Sequence, residues 1–342
     1  MHILFPLHSL ERGGGCRVVA EAANGLTAYG HHVTVALPDG APVAWPLTAE
    51  IVRIPFLSAG YFPPAEVIIP TFYTTLPAAI ESHVPLIRFC LGFEPLWVPD
   101  PEVALDGYRL SYPIITISRC LQNLLLARVR RQSYLVHPGV DSAAFRPCGN
   151  KGLYGRPTVA FILRGPVYTY KGTGILWESL ALVYKERPDL KLLIIANDEA
   201  ADPHTDIPHQ ILRSPGDEDL GRILSAADVF VFPSMFEGFG LPPLEAMACG
   251  TAVVCTDSGG SREYAVHERN CLLVPTGQAW PLAQAILRLL RDQGLRERLI
   301  DIGKATAAGW TWFRFYQEIH RLIQTLTMDA YSHMPPCSYS NM

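Results

Sequence analysis

The sequence predicts an α/β protein of two doubly wound domains, each a parallel sheet wrapped by helices, facing one another across a cleft. Three observations carry this. The chain has 342 residues, more than one hydrophobic core usually supports, so two domains of roughly 150 residues are expected. Short apolar runs alternate with amphipathic helical patterns along both halves, the pattern of a parallel sheet whose ligands sit beyond the carboxyl ends of its strands. A proline- and glycine-rich stretch, HPGVDSAAFRPCGNKGLYGRP at 137–157, interrupts that alternation midway.

The first half begins with HILFPL (2–7) as a strand. GGGCRVVAEAANGLTAYG (13–30) follows as a glycine turn and an amphipathic helix stopped by Gly30, and HHVTVALP (31–38) as the next strand, which completes a βαβ unit. AEVIIPT, PLIRFCL and YPIITIS continue as buried strands and RCLQNLLLARV as a helix. Beyond the interruption TVAFIL reads as a strand, GILWESLALVYKER as a helix ended by Pro188, and LKLLIIA as a strand. After a loop at 197–210 come DLGRILSAA as a helix, DVFVFPS as a strand, a helix within FEGFGLPPLEAMACG (236–250), and TAVVCT as a strand. The domains are therefore set at 1–148 and 149–310. WTWFRFYQEIHRLIQTLT is too apolar on one side to stand free, so a helix over 311–327 is expected to pack back on the first domain, and 328–342 is expected to be a loose tail.

Hydrophobic residues make up 49% and charged residues 18% of the chain, and the net charge is −4. This ordinary globular balance carries no basic footprint for nucleic acid. The cysteines at 16, 90, 120, 148, 249, 255, 271 and 337 form no C-x-x-C pair and read as reduced thiols of a cytoplasmic protein. The opening MHILFPLHS lacks the basic and small-residue features of a secretory leader. No run of uncharged apolar residues is long enough to span a bilayer, while peripheral attachment to the inner face of a membrane stays open.

The stretch FEGFGLPPLEAMACG places Glu237 and Glu245 on either side of GFGLPPL. Pro242 and Pro243 fit the first turn of a helix, where a missing N–H costs nothing, and Gly250 ends it. Gly238 and Gly240 then lie at the helix entrance, where glycines let a ligand approach and free N–H groups favour a phosphate or a sugar oxygen. Glu245, about one turn in, can accept two hydrogen bonds, as the vicinal hydroxyls of a ribose would donate. Taken singly, each glutamate could equally be an ordinary surface or helix-dipole charge.

Taken together, PSMFEGFGLPPLEAMACGTAVVCTDSGGSREY resembles the nucleotide-sugar binding signature of the retaining family 4 (group 1) glycosyltransferases, with its two glutamates separated by seven residues. FILRGPVYTYKG resembles that family's strand, arginine and lysine-glycine element. HPGVDSAAFRP resembles its interdomain segment, and GGGCRVVAEAANGLTAYGHHVTV its N-terminal glycine loop and helix. The resemblance implies the GT-B architecture of two Rossmann-like domains. It also implies that Glu245 holds the ribose hydroxyls, while Glu237 and the backbone of Gly238, Phe239, Gly240 and Leu241 meet the donor sugar and diphosphate. Arg164 and Lys171 flank a loop at a strand's carboxyl end, where a guanidinium and an ammonium would stabilise the departing diphosphate. Gly13, Gly14 and Gly15 open a helix after the first strand, so their amides could face a phosphate or an acceptor oxygen. Many family members carry a histidine after the fourth strand, but this chain reads LIRFCLGFEPLWVPD there. LGFEPLW looks like the FEPLF-type loop of a rhamnosyltransferase subset, which would put Glu94 in the cleft beside a 6-deoxyhexose donor.

The resemblance implies a retaining transfer, by same-face displacement, of a sugar from a UDP-, GDP- or dTDP-linked donor to a hydroxyl of a glycan, lipid-linked glycan or small molecule, as in polysaccharide biosynthesis. Rival readings are a nucleotide-sugar epimerase of the same fold and a non-catalytic nucleotide-sugar-binding scaffold. No metal is expected. Asp217, Glu218 and Asp219 imitate a metal-binding D-x-D, but they stand directly before a helical pattern, so Asp217 reads as an N-cap and the others as first-turn charges. His31, His32, His137, His204 and His209 are assigned no chemical role.

Overall fold

The computed structural model describes residues 1–148, 151–165, 168–196, 203 and 205–332. Residues 197–202 and His204 of the expected loop, and 333–342 of the expected tail, lie outside the described residues. The chain divides into two compact units. One comprises Met1–Ile117, Leu121–Val136 and the chain from Phe313 onward, the other Ser118–Cys120 and His137–Trp312. The second unit thus begins at His137, ahead of the break set at 148/149 from the proline- and glycine-rich stretch.

In the first unit β1 (His2–Pro6), β2 (His32–Pro38), β3 (Glu50–Ile54) and β4 (Val67–Ile68) form a parallel sheet of order β3-β2-β1-β4. A second parallel group, β5 (Arg88–Cys90), β6 (Ile114–Thr116) and β7 (Tyr134–Leu135), runs in sequence order. A bridge between Ile68 and Leu86 links the two groups. The central strand is the most apolar: Ile3, Leu4 and Phe5 are fully buried. The helix Gly14–Ala28 packs through Val18, Val19, Ala22, Ala23 and Leu26, spacings that share one helical face. The helix Trp312–Ser332 buries Phe315, Ile319, Ile323 and Leu326 on one stripe. Its Tyr316 ring lies where a Cβ on Gly25 would stand, and His320 meets His31 at 2.9 Å. This helix runs to Ser332, into the segment expected to be a tail, because no glycine or proline interrupts it before Pro335.

In the second unit β8 (Thr158–Leu163), β9 (Lys191–Ala196), β10 (His209–Arg213), β11 (Val229–Phe232), β12 (Ala252–Thr256) and β13 (Leu272–Val274) form one parallel sheet. Its order is β10-β9-β8-β11-β12-β13. From β8 the chain first builds outward through β9 and β10, then returns to β11 and builds the other way. The loops leaving the carboxyl ends of β8 and β11 therefore diverge at a topological switch point, the crevice in which open α/β sheets bind ligands. The core below it is apolar, with Val159, Phe161, Leu192, Ile194, Val231 and Val254 among its buried residues. The helix Asp217–Ala226 corrects one reading: its N-cap is Gly216, so Asp217, Glu218 and Asp219 all lie in the first turn.

Candidate active site at the switch point

The loop after β8 carries Arg164 and Lys171, and the loop after β11 carries Glu237 and the Gly238–Leu241 turn. Two contacts lock these loops together. Met235 donates its backbone N–H to the Tyr170 carbonyl at 2.8 Å, and Gly172 lies so close to Pro233 that a Cβ would stand 2.1 Å from the Pro233 oxygen. Lys171 is thereby aimed across the crevice, where its Nζ lies 2.8 Å from Glu237 Oε1. The Lys171 ammonium also sits 5.0 Å from the Tyr170 ring centre, and the Arg164 guanidinium lies 5.9 Å from that of Tyr168. Burial, followed by the neighbouring Glu237 carboxylate, pushes the Tyr170 hydroxyl up to about 12. It therefore stays protonated at neutral pH.

A second strip of backbone fixes Glu237. Its N–H donates to Ser258 O at 2.9 Å and its carbonyl accepts from Gly260 N–H at 3.1 Å. Gly260 packs so tightly under the turn that a Cβ would meet the Gly238 carbonyl carbon at 2.4 Å. Beyond the turn, the helix Leu241–Ala248 starts at Gly240 with prolines in its first turn, and the Tyr264 hydroxyl donates to the Gly240 carbonyl. Burial drives that hydroxyl well above its ordinary titration range. Glu245 is 5% exposed on the same helix. Phe239, between the two turn glycines, is 2% exposed and lies against Tyr264 and Trp310 with ring centres 5.5 and 5.4 Å away.

The second unit thus gathers Arg164, Lys171, Glu237, Gly238, Phe239, Gly240, Leu241 and Glu245 around the carboxyl ends of β8 and β11. Gly13, Gly14 and Gly15 belong to the first unit, at the start of the helix Gly14–Ala28. A Cβ at Gly13 would meet nothing within 4 Å, so packing does not demand glycine there. Glu94 departs from expectation. It is 2% exposed, accepts hydrogen bonds from Arg88 Nη2 and the Tyr108 hydroxyl, and so belongs to the interior of the first unit rather than to a sugar site. The physical reason is the fully buried Arg88 on β5, whose charge requires a partner. Sequence reasoning gave His137 no role and did not single out Glu263 or Trp310; the His137 and Trp310 rings lie beside Phe239 of the turn. The signal was the nearness of Glu263 to the SGG run that clamps Glu237. Among the described residues no group of three or more metal-ligating side chains converges, and no helix is long and apolar enough to cross a membrane.

Comparison with known proteins meets this geometry. Residues 156–292 match the family model Glycosyl transferases group 1. Over 202 residues the chain is 33% identical to a D-inositol 3-phosphate glycosyltransferase of Pseudarthrobacter chlorophenolicus, covering 51% of this chain and 46% of that protein. It is 27% identical over 225 residues to a mannosylfructose-phosphate synthase of Agrobacterium fabrum, covering 58% and 49%. The chain thus spans about half the length of these relatives. Among solved structures, sucrose-phosphate synthase from Thermosynechococcus elongatus superposes with a TM-score of 0.79 at 20% identity, covering 96% of this chain and all (100%) of that one. The Anabaena Alr3699/HepE structure in complex with UDP-glucose superposes with a TM-score of 0.76 at 19% identity, covering 95% and 100%. The fold is GT-B, and residues 156–292 carry the likeness to the group 1 glycosyltransferases.

Proposed function

We propose that the protein is a retaining glycosyltransferase that takes a sugar from a nucleotide-sugar donor to an acceptor hydroxyl. The observation that carries this reading is the Lys171–Glu237 pair, 2.8 Å apart at the crevice where the loops after β8 and β11 meet, with buried Glu245 one helical turn beyond. In this reading the Glu245 carboxylate accepts the two ribose hydroxyls, and the amides of Gly238 to Leu241 receive the diphosphate. Arg164 and Lys171 face the charge that develops on the diphosphate as the glycosidic bond breaks, a role worth most where water is excluded. Glu237 holds Lys171 before the donor arrives and touches the donor sugar afterwards. The acceptor hydroxyl attacks from the face the diphosphate leaves, and its proton passes to the departing phosphate oxygen. The two cations balance the diphosphate, so no divalent ion is required.

Support also comes from the UDP-glucose in the Anabaena structure of the same fold. Among the described residues the cysteines at 16, 90, 120, 148, 249, 255 and 271 are free, which fits a reducing cytoplasmic setting, with peripheral membrane attachment where the acceptor is lipid-linked. The test is incubation with labelled UDP-, GDP- and dTDP-sugars and a glycan acceptor panel. Nucleoside diphosphate release with a product that keeps the donor's anomeric configuration is the expected result. An isomerised donor without transfer would identify an epimerase, and binding without turnover a scaffold.

A further inference from the structure

Beneath the turn that bears Glu237 lies a small, largely shielded polar pair that the chemistry above does not use. Glu263, whose side chain is 4% exposed, accepts a hydrogen bond from His137 Nε2 at 2.8 Å and another from the Arg119 backbone N–H at 2.6 Å. Both carboxylate oxygens are thus spent on distant stretches of chain. The adjacent Arg262 does not compete, because it turns to Asp257. Burial by itself would raise the Glu263 carboxyl. The hydrogen bonds from His137 and Arg119 outweigh it and hold the group below the ordinary glutamate range, so Glu263 is an anion and His137 the donor. Glu263 closes the short helical turn Gly260–Glu263, the same segment whose Ser258 and Gly260 clamp the Glu237 backbone. On the other side the His137 ring stands edge-on to Trp310, with ring centres 5.0 Å apart, and 6.4 Å from the Phe239 ring.

We infer that His137 and Glu263 are positioning residues: their hydrogen bond anchors the Ser258–Glu263 splint and the aromatic bed of Phe239, and so fixes the Glu237–Leu241 backbone. The consequence for donor binding rests on the function proposed above; the consequence for the turn itself does not. A shielded carboxylate is strongly disfavoured until it is paired, and both bonds here hold the splint to chain that lies far from it in sequence. Loss of the His137 bond frees the end of the splint, and the turn amides lose their fixed direction.

The experiment is hydrogen–deuterium exchange on the full chain, read on peptides covering 236–242, together with titration of UDP, GDP and dTDP. In His137→Ala and Glu263→Ala the turn is expected to exchange about tenfold faster, an opening cheaper by about 1.4 kcal/mol, while β8 and β11 exchange as in the parent. In His137→Gln, whose side-chain amide can donate from nearly the same place, protection is expected to return. Nucleotide affinity should fall and recover in parallel. A turn that stays protected in His137→Ala, exchange that rises equally throughout the unit, or no rescue by His137→Gln would each overturn the assignment. If Glu263→Ala does not fold, the two His137 variants decide the matter. A parent protein that binds none of the nucleotides would remove the proposed function and leave the exchange result standing.

Discussion

Glu245 is a buried carboxylate on the site helix, and its proposed contact is a charge-assisted one to two hydroxyls. Glu245→Ala should therefore weaken nucleoside diphosphate binding by roughly 1.5–3 kcal/mol, tenfold or more, in titration calorimetry; unchanged affinity in a folded variant would refute the role. Arg164→Ala should act differently. Its charge is most useful as the diphosphate departs, so turnover should drop about 100-fold with little change in the donor KM, by analogy with removal of one oxyanion donor. Glu263 gives a pH signature. Its folded pKa lies below the ordinary 4.5, so its ionisation adds stability above that value, and the contribution is lost as pH falls through the lower folded value. The difference in melting temperature between parent and Glu263→Gln should accordingly shrink as pH is taken below 4.5. The nearness of Lys171 and Glu237, 2.8 Å apart, could be expected from the sequence because both stand in loops that leave the carboxyl ends of neighbouring strands. The place of Glu94 could not, since an acid beside glycine and proline looks like a loop charge until Arg88, on β5, is seen to be fully buried. Glu94→Ala should leave that guanidinium unpaired and cost about 3–5 kcal/mol in urea unfolding.

At the level of elements, the site depends on two places where backbones nearly touch. Gly172 holds a left-handed conformation, φ 72°, against the Pro233 carbonyl, so Gly172→Ala meets both a backbone penalty of about 1–2 kcal/mol and a clash. The β8–Lys171 loop must move, and nucleoside diphosphate affinity should fall together with the unfolding midpoint; a variant with parent affinity would show that the loop contact does not aim Lys171. The first-turn acids at 217–219 behave as helix-dipole partners, and Arg222 pairs with Asp219 at 2.9 Å. Because Gly216 holds the cap, Asp217→Ala should cost only about 0.3–1 kcal/mol. Sequence periodicity located β1, β2, β8, β9, β11 and β12, all nearly continuous apolar runs buried on both faces. It passed over β3 and β10, whose residues at Glu50–Ile54 and His209–Arg213 are largely exposed and mix charged with apolar side chains, because they are sheet edges.

Over the whole molecule, alternation of strand and helix announced two doubly wound sheets, but strand order and the membership of each unit follow from which strands pair, and periodicity does not record that. The proposed balance of the diphosphate by Arg164 and Lys171 has a consequence at this scale: turnover in excess EDTA should equal turnover without it. Activity abolished by chelator and restored by magnesium or manganese would show that a divalent ion is needed. One further consequence follows from the helix Trp312–Ser332, which lays Phe315, Ile319, Ile323 and Leu326 into the first unit while His137–Trp312 forms the second. During synthesis the second unit is complete before the first has received its last helix. Until Tyr316 reaches Gly25 and Glu21, the first unit lacks the helix that covers its apolar face, while the chain of the second has already been made. A released chain truncated after residue 311 should accordingly resist protease over 137–310 and be cut within 1–136, a difference the full chain should not show.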